Sequence, residues 1–344
     1  MVIKQKHNQD HISTDINSQN FYPNRSIGIK LSFVTLILLG ILPIISNSRP
    51  STLNAFNFAF YLSFWELIFS LPLFFYELPQ SRRGLFQKAI DPQIKRKTLT
   101  IMGITGIIFS IATFFYIFAF EKAGTVNAAI AIQTYPLFSI LIEFVLFKKK
   151  KRLSEIIFTL ILMVGIYYLG TEGSWLISGF SPWLALTLTV PILWSIAHVI
   201  IKHTLDNSPI TPNQVTFFRV LISSIVLFGV SSLVSGINNV FDGLTNIEFQ
   251  IFGFLMGLVY YLELINWFYA VKHVDVSVAS SIETPNPVIT MILAFFILNE
   301  SIEIYQIVAM IIVFSSLYGL IWSGRVKNHD KTRKLIKYNN PKKN

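Results

Sequence analysis

Residues Ala270–Glu300 read AVKHVDVSVASSIETPNPVITMILAFFILNE, a short polar hairpin, a membrane-length apolar helix interrupted by Pro285 and Pro287, and an acidic stop. The run has an echo. Moved back by 151 residues without a gap, it falls on Ala119–Lys149, AFEKAGTVNAAIAIQTYPLFSILIEFVLFKK. Ala270 lands on Ala119, Ala279 on Ala128, Pro287 on Pro136 and Phe295 on Phe144. Further out, Gly257 lands on Gly106, Trp267 on Tyr116 and Leu320 on Leu169. Solenoid repeats run to about 20–50 residues, so this period is too long for one. In an apolar chain it points to two homologous halves, the plan of many membrane transporters.

Composition sets the class. Of the 344 residues 53% are hydrophobic and 13% charged, and the mean hydropathy is +0.57. A soluble domain carries about 25% charged residues, so the expectation is an all-α integral membrane protein. There is no cysteine, which excludes disulfides, thiolate metal ligation and cysteine nucleophiles. The histidines stand at 7, 11, 198, 203, 273 and 329, with no helical pair of the kind that builds a zinc site. A phosphate-binding loop and a GxSxG nucleophile motif are absent as well. Enzyme chemistry and ATP hydrolysis within this chain are therefore not expected, and no cofactor is implied.

Residues 1–26 are polar and read as a disordered cytoplasmic segment. Apolar stretches follow at about 27–46, 54–76, 98–118, 123–147, 153–171, 181–202, 212–235, 247–270, 274–298 and 302–322. At 1.5 Å per residue each can cross a hydrocarbon core of about 30 Å. The expectation is ten transmembrane helices: a first repeat over 27–171, a second over 181–322, and a basic tail over 323–344. With the N-terminus in the cytoplasm, 25 of the 28 Lys and Arg fall on the inner side, 2 (Arg49 and Lys122) fall outside, and Arg219 lies within a helix. By the positive-inside rule both termini are cytoplasmic. The same distribution assigns the +10 net charge to topology and to anionic lipid headgroups rather than to nucleic acid. Five crossings per half is an odd number, so the two repeats are expected to be inverted relative to each other, which permits inward- and outward-facing packings of one chain.

The chain resembles the drug/metabolite transporter superfamily, specifically its ten-helix, two-repeat EamA-type members. The resemblance rests on Ala270, Ala279 and Pro287, then Leu298-Asn299-Glu300 and Gln306, and in the first half on Ala119, Ala128 and Pro136. It departs at Lys149, where the first-half loop glutamate of the pattern would stand, and a tryptophan that marks the first helix of each repeat fits Trp194 but has no first-half counterpart. What the resemblance implies is secondary transport of small metabolites, often export of amino acids or related compounds, in a bacterial cytoplasmic membrane. It leaves the oligomeric state open.

Function should lie with polar groups inside the helices, because a charge at the bilayer centre costs about 2.5–3.5 kcal/mol even on the lenient insertion scale. Glu66, Glu143, His198, Arg219, Glu263 and Glu283 are such groups. Glu143 and His198 stand close to helix ends and read as interfacial. Arg219, Glu263 and Glu283 share a depth of roughly 10–14 Å, so one arginine and two carboxylates can pair and leave an acid for a cation or a coupling proton. A static ion pair holding helices together is the competing reading. Glu66 belongs to a polar face, Ser63/Glu66/Ser70, that recurs as Thr216/Arg219/Ser223; mirrored depths give no reason to expect direct contact. Glu283, Asn286 and Pro287 share one face of a continuous helix in this reading, with Ser280 a turn earlier. Pro136 stands beside Gln133 and Tyr135, and with Pro285 and Pro287 it frees backbone carbonyls, which is tolerated where a helix lines a cavity or packs against others. Tyr116, Trp194, Tyr260 and Trp267 are the aromatic walls such a cavity would use, and the GxxxG at Gly253 and Gly257 reads as close helix packing. A lipid-handling or scaffold protein with merely structural polar groups is the alternative.

Overall fold

The chain is described by a computed structural model over residues 24–78, 84–87, 90–147, 153–274 and 276–339. The polar N-terminal segment to residue 23 and the basic run Lys148–Arg152 lie outside the described residues. Every regular element among the described residues is helical. Among the described residues, seven helical segments are long and apolar enough to cross a membrane: Arg25–Asn47, Ala55–Glu77, Pro92–Ala123, Pro182–Asn207, Pro212–Ser235, Ile247–His273 and Val278–Leu298. Two shorter apolar helices, Ile156–Gly170 and Ile304–Leu320, accompany them. The stretch expected as one helix over 123–147 is two pieces, neither of spanning length.

In chain order the helices are α1 Arg25–Asn47, α2 Ala55–Glu77, α3 Pro92–Ala123, α4 Thr125–Ile132, α5 Tyr135–Phe147 and α6 Leu153–Gly170. There follow α7 Pro182–Thr187, α8 Thr189–Asn207, α9 Pro212–Ser235, α10 Ile237–Thr245 and α11 Ile247–His273. The last are α12 Val276–Glu283, α13 Asn286–Leu293 and α14 Ile304–Asn339. Their starts follow local chemistry. Asn24, Asn54, Asp91, Thr211 and Asn246 each accept a hydrogen bond from a first-turn N–H, and Pro92 and Pro212 take the first helical position, where a missing donor costs nothing. α10, a short amphipathic helix between α9 and α11, was not expected from the apolar pattern.

The offset of 151 seen in the sequence is also the offset of the helix boundaries. α4 begins at 125 and α12 at 276; α4 ends at 132 and α12 at 283; α5 begins at 135 and α13 at 286; α6 begins at 153 and α14 at 304. The breaks themselves correspond, at Gln133–Thr134 and at Thr284–Pro285. Pro136 and Pro287 therefore sit in the first turn of new helices rather than inside old ones. Glu283 closes α12 and Asn286 opens α13, so the single continuous face expected for them does not exist. A similar break at Leu188 separates α7 from α8, because Pro191 has no N–H to offer the preceding turn.

The matched glycines do matched work. A Cβ on Gly106 would sit 2.7 Å from Ile222 Cβ of α9, and one on Gly257 would sit 2.7 Å from Trp65 Cβ and 2.8 Å from the Leu62 carbonyl of α2. α3 thus closes on α9 and α11 on α2, one contact for each half. α2 also packs along α9, α1 along α11, and α6 along α14. One core fills the space among α2, α3, α8, α9 and α11, and a second lies among α4, α6, α13 and α14.

Candidate functional site

α2 and α9 run side by side in opposite directions, and their shared seam is polar along its length. Ser231 donates to Asn57, Ser224 Oγ to the Ser63 carbonyl at 2.7 Å, and Arg219 Nη1 to Glu66 Oε1 at 3.1 Å. At the last rung Thr211 and Asn213 donate to the two oxygens of Glu77, at 2.6 and 2.7 Å. Of the recurring Ser63/Glu66/Ser70 and Thr216/Arg219/Ser223 faces, Glu66 and Arg219 meet across this seam, while Ser223 donates to the Gly106 carbonyl of α3. Direct contact between Glu66 and Arg219, unexpected from depth, follows because both lie far enough from the ends to meet, and the long arginine stem covers what offset remains.

Both members of that ion pair have side chains only 2% exposed. The Arg219 guanidinium lies 4.0 Å from the Phe109 ring centroid and 5.6 Å from that of Tyr260, so two aromatic rings pack against it. Its Nε has no hydrogen-bond partner. Arg219 also forms part of the wall of a small, partly open central cavity.

Both halves of the chain contribute to that wall. Leu39, Phe109, Gln133 and Tyr135 come from the first, and Trp194, His198, Arg219, Tyr260, Glu263, Trp267, Ser280 and Glu283 from the second. Of the residues singled out from sequence, the cavity gathers Gln133, Tyr135, Trp194, His198, Arg219, Tyr260, Glu263, Trp267, Ser280 and Glu283. It does not reach the rest. Glu66 is buried behind Arg219, and Asn286 is buried at the start of α13 outside the lining. Tyr116 forms a second aromatic layer, its ring 6.0 Å from Tyr260 and nearly parallel, and 5.4 Å from Trp194. Pro136, Pro285 and Pro287 shape the helix breaks that carry Gln133 and Glu283 to the wall. Glu143 lies on α5, and its side chain is outside the described residues.

His198 is the residue whose reading changes most. Expected near a membrane interface, it stands in the cavity wall, its Nδ1 3.1 Å from the Tyr135 hydroxyl and its ring 5.3 Å from Trp267. Nearby, Ser139 donates to Ser195, which donates to the Tyr135 carbonyl at 3.0 Å. That carbonyl opens α5 just after the α4–α5 break, and Ser195 of the other half ties the two halves together there.

The cavity's charges do not balance. Arg219 is the one arginine or lysine among the described wall residues and is already paired with Glu66, whereas Glu263 and Glu283 add two carboxyl groups. Thr35 of α1 donates its hydroxyl to Glu283, and Glu283 lies within electrostatic range of Glu263. Glu263 in turn lies within range of Arg219 and Glu66. Such a site can hold a proton, a cation or a polar solute, and aromatic rings form much of the remaining surface. Among the described residues no group of three or more His, Asp or Glu is placed to hold a metal ion.

A second polar cluster lies at the far end of the bundle, the end at which α1 finishes. Asn47 donates to Thr125 at 2.7 Å and Thr125 donates to Glu300. Two residues on, Gln306 donates to Asn127 at 2.9 Å and Asn127 donates to the Tyr305 hydroxyl at 3.3 Å. The Leu298-Asn299-Glu300 pattern acquires a physical reason here. A π-helical turn over Ala294–Leu298 ends in Asn299 with φ +54°, a left-handed conformation that asparagine tolerates, and this turns Glu300 back toward α4. Sequence reasoning had marked Glu300 and Gln306 as pattern residues but had not seen that both reach across to the other half.

The chain's similarities follow the same two-part division. Residues 26–171 and 181–322 each match the EamA-like transporter family. A curated protein from Methanothermobacter thermautotrophicus, described as an uncharacterized transporter, is 22% identical over 294 residues, spanning 82% of this chain and 80% of its own. One from Clostridium kluyveri, also described as an uncharacterized transporter, is 25% identical over 228 residues, spanning 62% of this chain and 68% of its own. A solved crystal structure superimposes with a TM-score of 0.57 at 14% identity, covering 88% of this chain and 99% of its own, a likeness of fold alone.

Proposed function

Because this chain belongs to the EamA-like transporter family, we propose that it is a secondary active transporter that carries small metabolites out of the cytoplasm by alternating access. The observation that carries this reading is the central cavity, built from both repeats and lined by Arg219, Glu263 and Glu283. A static ion pair needs no cavity beside it and no surplus acids. In the proposed arrangement ten crossings form two inverted five-helix repeats, with α4–α5 and α12–α13 as the broken crossings and both termini cytoplasmic, as the Lys and Arg distribution supports. Rocking one repeat against the other opens the cavity to alternate sides. The seam of α2 and α9 supplies the pivot, and the cluster at Thr125 and Glu300 closes one mouth. Glu263 and Glu283 exchange a coupling proton or ion with the solute, Gln133 contributes hydrogen bonds, and the Glu66–Arg219 pair holds the wall in register.

The test is flux in proteoliposomes loaded with a metabolite extract, under a pH gradient and without nucleotide. Loss of defined metabolites from the lumen, collapsing when the gradient is dissipated, is the expected result. Release that requires added ATP, or no release by folded protein, would contradict the reading.

A further inference from the structure

The cavity's chemistry narrows the solute class, an inference that rests on the transport reading of this site. A carboxylate or phosphate entering the cavity needs a cation, and the guanidinium in the wall is already committed: Arg219 lies against the rings of Phe109 and Tyr260, and its Nη1 is engaged by Glu66. Glu263 and Glu283, facing the same space, repel a second anion. For a cation the balance reverses. Two carboxylates accept charge-assisted hydrogen bonds, and Trp267 and Tyr135 line the wall with aromatic surface for the rest of the molecule. Three polar atoms of wall residues have no hydrogen-bond partner, Trp194 Nε1, Arg219 Nε and Tyr260 Oη, and the Trp194 indole is the neutral N–H among them. A buried N–H without a partner is rare, and a solute's hydroxyl, ether or carbonyl oxygen would satisfy it.

We propose that the cavity takes a small organic amine, its ammonium between Glu263 and Glu283, its apolar or aromatic body against Trp267 and Tyr135, and one acceptor oxygen on the Trp194 indole. Exclusion of carboxylates is part of the proposal. It separates amines from zwitterionic amino acids, whose second, negative charge Glu263 and Glu283 disfavour.

Calorimetry on the purified full chain with tyramine, tyrosine and 3-(4-hydroxyphenyl)propionate makes the comparison at constant ring. Tyramine is expected to bind, with the zwitterion and the acid weaker by about tenfold or more, the worth of one charge-assisted contact. Glu263→Gln and Glu283→Gln should each lose a similar factor, and Glu121→Gln, far from the cavity, none. A measurement on unaltered protein guards against misfolded variants: tyramine should protect Glu263 or Glu283 from modification by a hydrophobic carbodiimide. Labelling that responds to pH but not to the amine assigns these acids to protons alone and overturns the proposal. So does equal binding of the acid, or no binding of tyramine. Gradient-driven release of some other metabolite alongside such a failure would leave the transport reading standing and the solute class wrong.

Discussion

Arg219 meets Glu66 through one hydrogen bond and packs against two aromatic rings, in surroundings where neither charge has water to fall back on. Removing one partner leaves the other buried and uncompensated, at a cost of about 3–5 kcal/mol. Arg219→Ala should therefore lower the thermal stability of the purified protein far more than Glu283→Gln does, since Glu283 keeps its Thr35 partner as an amide. The paired change Glu66→Met with Arg219→Met discriminates between support and function, because a buried ion pair can often be exchanged for apolar packing with little loss. The double variant is expected to fold and insert with near-normal stability and to lose transport. Unimpaired flux in that variant would assign the pair to structure alone. The charges of this site were legible in the sequence; their partners were not. Position along a helix fixes depth, so Arg219, Glu263 and Glu283 could be grouped. The direction a side chain takes around the helix axis depends on how helices pack, and that is where Glu66 entered and Asn286 left.

At the scale of the element, close approaches were readable and helix breaks only in part. Prolines and the offset of 151 residues marked where two crossings are disturbed, but each was expected as one helix, and its division into α4–α5 or α12–α13 shows only in the structure. Glycine spacing marked where α11 meets α2. A Cβ placed 2.7 Å from Trp65 on Gly257, or from Ile222 on Gly106, must displace a neighbour. Gly257→Val and Gly106→Val are each expected to destabilise by about 1–3 kcal/mol, read as an earlier melting transition. The far-end cluster was not legible, because Thr125, Asn127 and Glu300 in isolation look like ordinary polar residues at helix ends. Its asymmetry carries a prediction. The positions 151 residues from Thr125 and Asn127 are Val276 and Val278, whose side chains cannot form these bonds. Thr125→Val should thus favour opening at the far end, by roughly two- to tenfold for a contribution of about 0.5–1.5 kcal/mol. The chain has no native cysteine, so Ser280→Cys places a single thiol in the cavity. Its labelling by an impermeant reagent from the far side should quicken when Thr125→Val is added. An unchanged rate would mean the cluster does not gate that mouth.

For the molecule as a whole, orientation decides which way the cavity's mouths face. Reporter tags after residue 344 and between 82 and 97 are expected on the cytoplasmic side, and tags near 174 and 240 on the outside. A cytoplasmic tag at 240 would break the odd-numbered count on which inverted repeats depend. Class, family plan and the doubling of the chain were readable from hydropathy and offset, since those properties are averaged over many residues. The cavity was not, because it is a space defined by residues from α1, α3, α4, α5, α8, α9, α11 and α12 together. Nothing local to any one of these helices announces it.

The ion pair between α2 and α9 spans 153 residues of chain, and a ribosome makes that length in roughly 8–30 s at about 5–20 residues per second. For that interval α2 exists without α9. Glu66 enters the bilayer as an acid with no counter-charge yet synthesised, and it stays neutral or wet until Arg219 arrives. Assembly of the second half is then what makes the first half's carboxylate tolerable. A nascent chain arrested before residue 212 should accordingly hold α2 less firmly in the membrane than the completed protein does, and a Glu66→Gln version should close that gap.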